Sequence, residues 1–310
     1  MLVLLLLGCG GGSGSKPTQR TTPAVAAPQP APARSALYRV ELNGTTLTYR
    51  QTGQSGPALV FIHGSLGNIS TWNAQDTSFA RLYRVLVYSR RYHPPNPPVD
   101  DAQPYSPKLH AEDLAALLLR LELAPAHIVG ADYGAYTALV LAREHPDLVR
   151  SLVIAEPPIV SLLSNMEAGD TLRRAFLGGS LDAARAAFAH GDSVAALRAF
   201  LSGSGASFDR SSDAARANLL AHSFELRREM LTNREQYLPP LGCADLGRLN
   251  TAVLIVRGER SPRIYQVISD ELARCMRNDT TAVIPAAGHA MHAAQPGYYN
   301  TVVSRFLSAR

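Results

Sequence analysis

Residues 127–143 read His127-Ile-Val-Gly130-Ala-Asp132-Tyr133-Gly134-Ala-Tyr-Thr-Ala-Leu-Val-Leu-Ala-Arg143. His127 to Gly130 is short and apolar, as a strand buried on both faces would be. Ala135 to Arg143 carries apolar side chains at helical spacing. Between them stands G-x-D-x-G. A strand that turns sharply into a helix brings backbone against backbone, so small residues are needed on both flanks. The central Asp132 then meets unpaired N–H groups and the positive end of the helix dipole, which favour a carboxylate. Asp132 as a plain N-cap is the competing reading.

The same alternation of strand and helix extends outward in both directions. Tyr38 to Leu42 and Thr45 to Arg50 flank Asn43-Gly44, a strong hairpin signal. Ala58 to Ile62, Arg84 to Tyr88, Leu152 to Ala155, Val253 to Val256 and Thr281 to Ile284 read as strands. His110 to Leu123, Ile264 to Met276 and Tyr298 to Leu307 read as helices. Such alternation predicts a mostly parallel sheet with helices on both faces. It breaks between Pro157 and about Leu246, where only helical patches occur, Leu181 to Phe200 and Ala214 to Met230. We read residues 37–156 and 247–310 as the core and 157–246 as a helical lid.

The chain has 310 residues, 46% apolar and 18% charged, with a net charge of +5. That composition suits a sizeable core, and the scattered basic charge shows no stripe fit for nucleic acid. Leu2 to Leu7, then Gly8-Cys9, resembles a bacterial lipobox. The apolar run is too short to span roughly 30 Å of hydrocarbon, so the expected role of residues 1–9 is export and lipidation at Cys9. No basic residue precedes the run, which points to a start upstream of Met1. Residues 10–36, rich in Gly, Ser, Pro and Ala, read as a disordered linker. An extracytoplasmic, lipid-anchored protein follows as the expectation, with no membrane contact beyond that anchor. Cys243 and Cys275 are expected to be separate, partly buried thiols, although an oxidising compartment would allow pairing.

Functional groups in an open α/β sheet gather beyond the carboxyl ends of the strands. The residues there are Gly130-Ala-Asp132-Tyr133-Gly134, His63-Gly64-Ser65-Leu66-Gly67, Glu156, Gly258-Glu259-Arg260-Ser261 and Gly288-His289. Their order resembles the α/β-hydrolase superfamily, with Asp132 in the nucleophile slot usually held by serine. The resemblance covers about Leu37 to Arg310 and implies an eight-stranded, mostly parallel sheet. It implies Asp132 as nucleophile, His289 as base, and the N–H groups of Ser65 and Tyr133 as oxyanion donors. His63 is expected to be structural, and His292 a neighbour of the base. The usual slot for the orienting acid holds Ser261, so Glu156 is the first choice and Glu259 the alternative.

A carboxylate attacking acyl carbon would form a high-energy anhydride. Displacement at saturated carbon suits it better and leaves an alkyl ester that His-activated water cleaves. Within the superfamily this is the chemistry of epoxide hydrolases and haloalkane dehalogenases, and it needs no metal or organic cofactor. Tyr133 follows Asp132 and Ser65 follows His63-Gly64, so the usual halide clamp is missing, and the single tryptophan, Trp72, is expected in the core. Tyr237 is the one lid tyrosine available to protonate an opening epoxide, where many relatives carry two. The expected substrate is small and apolar, an epoxide before an alkyl halide. An ester or C–C bond hydrolase with serine replaced by Asp132, and a non-catalytic binding protein, stand as alternatives.

Overall fold

A computed structural model of the chain describes residues 36–99 and 103–310. Cys9, the lipobox-like run and nearly all of the expected linker lie outside these residues. Eight strands form one sheet: β1 Tyr38–Leu42, β2 Thr45–Thr52, β3 Ala58–Ile62, β4 Arg84–Tyr88, β5 Ala126–Ala131, β6 Val149–Ala155, β7 Ala252–Gly258 and β8 Asp279–Ile284. Their order is β1-β2-β4-β3-β5-β6-β7-β8. β1 and β2 pair antiparallel through the turn at Asn43 and Gly44, both at positive φ. β2 pairs antiparallel with β4, and every later pairing is parallel.

The helices before the insertion are α1 Asn73–Phe79, α2 Pro107–Arg120 and α3 Tyr133–Glu144. Those of the insertion are α4 Glu167–Phe176, α5 Ala183–Ala189, α6 Ser193–Gly203, α7 Asp213–Ala221, α8 Ser223–Leu231, α9 Arg234–Tyr237 and α10 Cys243–Leu246. After β7 come α11 Arg263–Cys275, α12 Met291–Ala294 and α13 Pro296–Leu307. Alternate side chains of each strand face opposite ways. Ile128 joins one apolar core with α2, α3 and α11, and Val129 joins a second with α1 and α13. Trp72 is fully buried in the second, against Phe61 and Tyr299. Burying both faces explains why these strands are continuous apolar runs.

Two long helical patches of the insertion are interrupted. The stretch 181–200 breaks at Gly191, whose φ of +79° ends α5, and Asp192 then caps α6 by accepting the Ala195 N–H. The stretch 214–230 divides at His222. Among the described residues the insertion adds no strand between β6 and β7.

Cys243 and Cys275 correct our expectation of separate thiols: they form a disulfide with Cα atoms 4.8 Å apart. The end of the insertion packs beside the end of α11, a proximity that a separation of 32 residues does not reveal. The bridge ties the insertion to the core. We expect both thiols to resist alkylation until the protein is reduced. Cys275→Ser should cost about 2–4 kcal/mol in denaturant unfolding. Alkylation of the unreduced native protein at either cysteine would contradict the pairing.

Candidate active site

The elbow after β5 works as the glycines demand. A Cβ on Gly130 would lie 2.5 Å from the Gly134 carbonyl oxygen, so a side chain there would push strand and helix apart. Asp132 itself sits at φ +53°, a region that non-glycine residues rarely adopt. Its side chain makes no N-cap hydrogen bond to α3, so capping does not account for it. Oδ2 instead accepts the Ser65 N–H at 3.0 Å. A Cβ on Gly64 would fall 2.7 Å from that same oxygen, so glycine is what lets the carboxylate reach the β3 turn.

The direction of the Ser65 N–H is fixed from behind. The peptide unit is planar and trans, so the Gly64 C=O and the Ser65 N–H point opposite ways. Arg90 is fully buried and donates to the Gly64 oxygen at 3.0 Å and the His63 oxygen at 2.9 Å. With the carbonyl turned to Arg90, the N–H must face Asp132. His63 completes the brace, with Nε2 accepting the Arg90 backbone N–H and Nδ1 donating to the Gly64 oxygen. Burial, with the Arg90 charge adding to it, holds this imidazole neutral. His63 is structural here, and Arg90 is a positioning residue that sequence reading missed.

His289, after β8, approaches the other side of the carboxylate, with Nε2 3.5 Å from Asp132 Oδ1. Its Nδ1 donates to Glu156 Oε2 at 2.7 Å. Glu156 is fully buried at φ +48°, and its Oε1 accepts the Gly258 N–H at 2.8 Å. Glu259 does not join them: its carboxylate accepts the Ala286 N–H at 2.7 Å and braces the turn after β8. Ser261, in the usual acid slot, is buried with its hydroxyl unpartnered among the described residues. His292 packs on Trp72 with centroids 4.5 Å apart, and burial lowers its pKa to about 4.

Burial disfavours the His289 imidazolium, but hydrogen bonds to Asp132 and Glu156 and their charges outweigh it and raise its pKa to about 9. Burial likewise opposes ionisation of Asp132. The His289 contact, the imidazolium charge and the N–H groups of Ser65 and Tyr133 overcome it and hold the carboxyl below its usual range. At neutral pH the pair rests as imidazolium and carboxylate. The folded pKa of His289 lies above the ordinary 6.5, so its stabilisation is complete below that pH and is lost as pH rises through about 9.

Asp132 and His289 open into a cavity of about 140 Å³. Its walls include Leu66, Pro158, Phe176, Leu181, Phe200 and Leu238, mostly from the insertion. Two tyrosines line it. Tyr237 lies stacked on Tyr133 with centroids 5.0 Å apart, and the Tyr133 hydroxyl donates to the Tyr237 carbonyl at 2.8 Å. Tyr265, on α11 outside the insertion and not expected from the sequence, stacks on the His289 ring at 4.3 Å.

Known proteins extend this picture. The model of the Alpha/beta hydrolase family matches residues 59–301. The chain belongs to the alpha/beta hydrolase family. An uncharacterized hydrolase, YraK of Bacillus subtilis, is 28% identical over 128 residues, 41% of this chain and 47% of that one. The match thus spans about half of that relative. The 2-(acetamidomethylene)succinate hydrolase of Mesorhizobium japonicum is 24% identical over 283 residues, 87% of this chain and 95% of that one. Among solved structures, a haloalkane dehalogenase variant from Bradyrhizobium elkanii superposes with a TM-score of 0.69 at 20% identity, covering 89% of this chain and 98% of that one. At that identity the likeness is one of fold. The family hydrolases around the chain agree with a hydrolase.

Removing one of the two charges on His289 should lower its pKa. We expect Asp132→Asn to move the imidazole titration followed by NMR from about 9 towards its ordinary value. An unmoved titration would show that Asp132 is not its partner.

Proposed function

We propose that the protein is a hydrolase that attacks a small apolar electrophile through Asp132, and that the electrophile is an epoxide before an alkyl halide. The observation that carries this is the division of labour on one carboxylate. Oδ2 lies on the Ser65 N–H, and Oδ1 is the oxygen beside His289. An oxyanion donor already engaged by the side chain itself has no place for the oxygen of an attacked ester. It suits a nucleophile whose own Cγ is later attacked by water, with charge developing on Oδ2.

The charges support the order of steps. In the free protein His289 is protonated and cannot act as a base. Alkylation of Oδ1 turns Asp132 into a neutral ester and removes one of the two charges that hold the proton. His289, still oriented by Glu156, then gives up that proton, which makes good the one taken up by the opened epoxide oxygen, and takes one from water. Water adds at Cγ, the ester bond breaks, and the product alcohol takes the proton back from His289. Tyr237 and Tyr265 supply two hydroxyl-bearing walls to the cavity, which favours protonation of an epoxide oxygen over release of a halide. An apolar cavity of roughly 150 Å³ accepts benzene, so the site suits substrates of about that bulk.

The alternative of an ester or C–C bond hydrolase predicts that Asp132→Ser gains ester cleavage. A non-catalytic binding protein would release every electrophile unchanged. The test of the leading reading uses the His289→Ala variant with propylene oxide, styrene oxide and 1-bromobutane. Mass spectrometry should find the peptide containing Asp132 heavier by one substrate residue, with styrene oxide reacting ahead of bromobutane. Absence of any adduct would overturn the alkyl-enzyme route for these classes.

We also propose an extracytoplasmic, lipid-anchored protein. The Cys243–Cys275 disulfide supports it, since such bonds persist in oxidising compartments. Expressed in a bacterium, the chain should incorporate labelled fatty acid, and Cys9→Ala should abolish it. Equal labelling of both would contradict the anchor.

A further inference from the structure

Behind Ser65 and Tyr237 lies a charged group that no step above uses. Glu229, in the last turn of α8, is fully buried. Its Oε1 accepts the Tyr105 hydroxyl at 2.6 Å, and the Tyr237 hydroxyl reaches its Oε2 at 3.4 Å. The Ser65 side chain also favours the ionised form of both Glu229 and Tyr237. The site thus continues inward from Tyr237 to a carboxyl group that solvent does not reach.

The groups facing Glu229 come from several elements. Arg90 and His93 follow β4, and His93 Nε2 lies 3.8 Å from Oε1. Arg90 donates to the Tyr105 oxygen at 2.8 Å and favours a carboxylate by its charge. Asp132 opposes it, and ionised Glu229 in turn acts on the Tyr133 phenol. One turn back on α8, Glu225 is held by His222 at 2.7 Å and lies 3.5 Å from His93 Nδ1. The carboxyl end of a helix adds negative partial charge, which disfavours a carboxylate in its last turn.

We propose that Glu229 is a positioning residue that stores a proton for Tyr237, so that a protonated Glu229 leaves the Tyr237 hydroxyl free to donate into the cavity. A carboxylate there draws the Tyr237 proton inward. A protonated carboxyl donates to the Tyr237 oxygen instead and turns its proton outward. Burial outweighs Arg90 and the hydrogen bonds and raises the Glu229 pKa to about 7, so both states are within reach. In the ring-opening step Asp132 Oδ1 bonds to carbon and the carbon–oxygen bond of the epoxide breaks. Its electron pair stays on oxygen and takes the Tyr237 proton, and Tyr237 recovers one from Glu229. The proton that His289 releases on ester formation restores Glu229. Hydrolysis then returns Asp132 and His289 to their resting pair.

The inference rests on the alkyl-enzyme reading for its role but can be tested apart from it. Infrared difference spectra of the whole protein should show a carboxylic-acid band at pH 6 that fades on titration through about 7. The band should be absent in Glu229→Gln and shifted in Tyr237→Phe. In the His289→Ala background, alkylation by styrene oxide should slow as pH rises through the same range. Adding Glu229→Gln should flatten that limb and slow alkylation about tenfold at pH 6, less than the roughly hundredfold low end of full general-acid catalysis because Tyr237 remains. No band at pH 6, a band indifferent to Tyr237→Phe, or an unchanged pH limb in Glu229→Gln would overturn the proposal. Missing adducts in every variant would defeat the Asp132 reading instead, and the infrared result would then decide Glu229 alone.

Discussion

An acidic side chain held at positive φ over the carboxyl edge of a parallel sheet is the constraint on which the site depends. Close backbone approach at Gly130 and Gly134 forces the turn, and the turn lifts Asp132 off the sheet. Gly64 then leaves room for its carboxylate, and Arg90 turns one peptide unit so that the Ser65 N–H meets it. Enlarging any of these glycines, or loosening Arg90, would disturb the same carboxylate from different sides.

Charge gives that geometry its chemical sense. Two acidic side chains flank His289 and raise its pKa to about 9, so the imidazole rests protonated at neutral pH. If Asp132 is the nucleophile we propose, losing its charge when it reacts would change His289 beside it without any motion of the backbone. A serine in the same slot has no such charge to lose. On the proposed alkyl-enzyme route, Asp132 is therefore more than a substitution within a serine site; it would set when His289 can act.

Much of this was legible in the sequence. The strands are fully buried and short, so apolar runs ending in Gly, His or Asp marked both the sheet and its functional edge. Glu156 was preferred to Glu259 because Ser261 left the usual acid slot vacant, and it is Glu156 that meets His289 while Glu259 braces a turn. What stayed hidden depends on long-range packing. Arg90 reads as one of two adjacent arginines in a loop, and nothing local shows that it is buried beneath His63 and Gly64. Tyr265 sits in an ordinary amphipathic helix, and Glu229 resembles a solvated helix charge until Tyr105 and Tyr237 are folded against it. The disulfide was missed for the same reason, since its halves meet only when the insertion closes on α11.

On the proposed route the product's new oxygen comes from Asp132, and water attacks Asp132. A single turnover of styrene oxide by excess enzyme in ¹⁸O-water tests it directly. The diol should be unlabelled, and the peptide that contains Asp132 should carry one ¹⁸O. A diol labelled in that first turnover, with an unlabelled peptide, would contradict it.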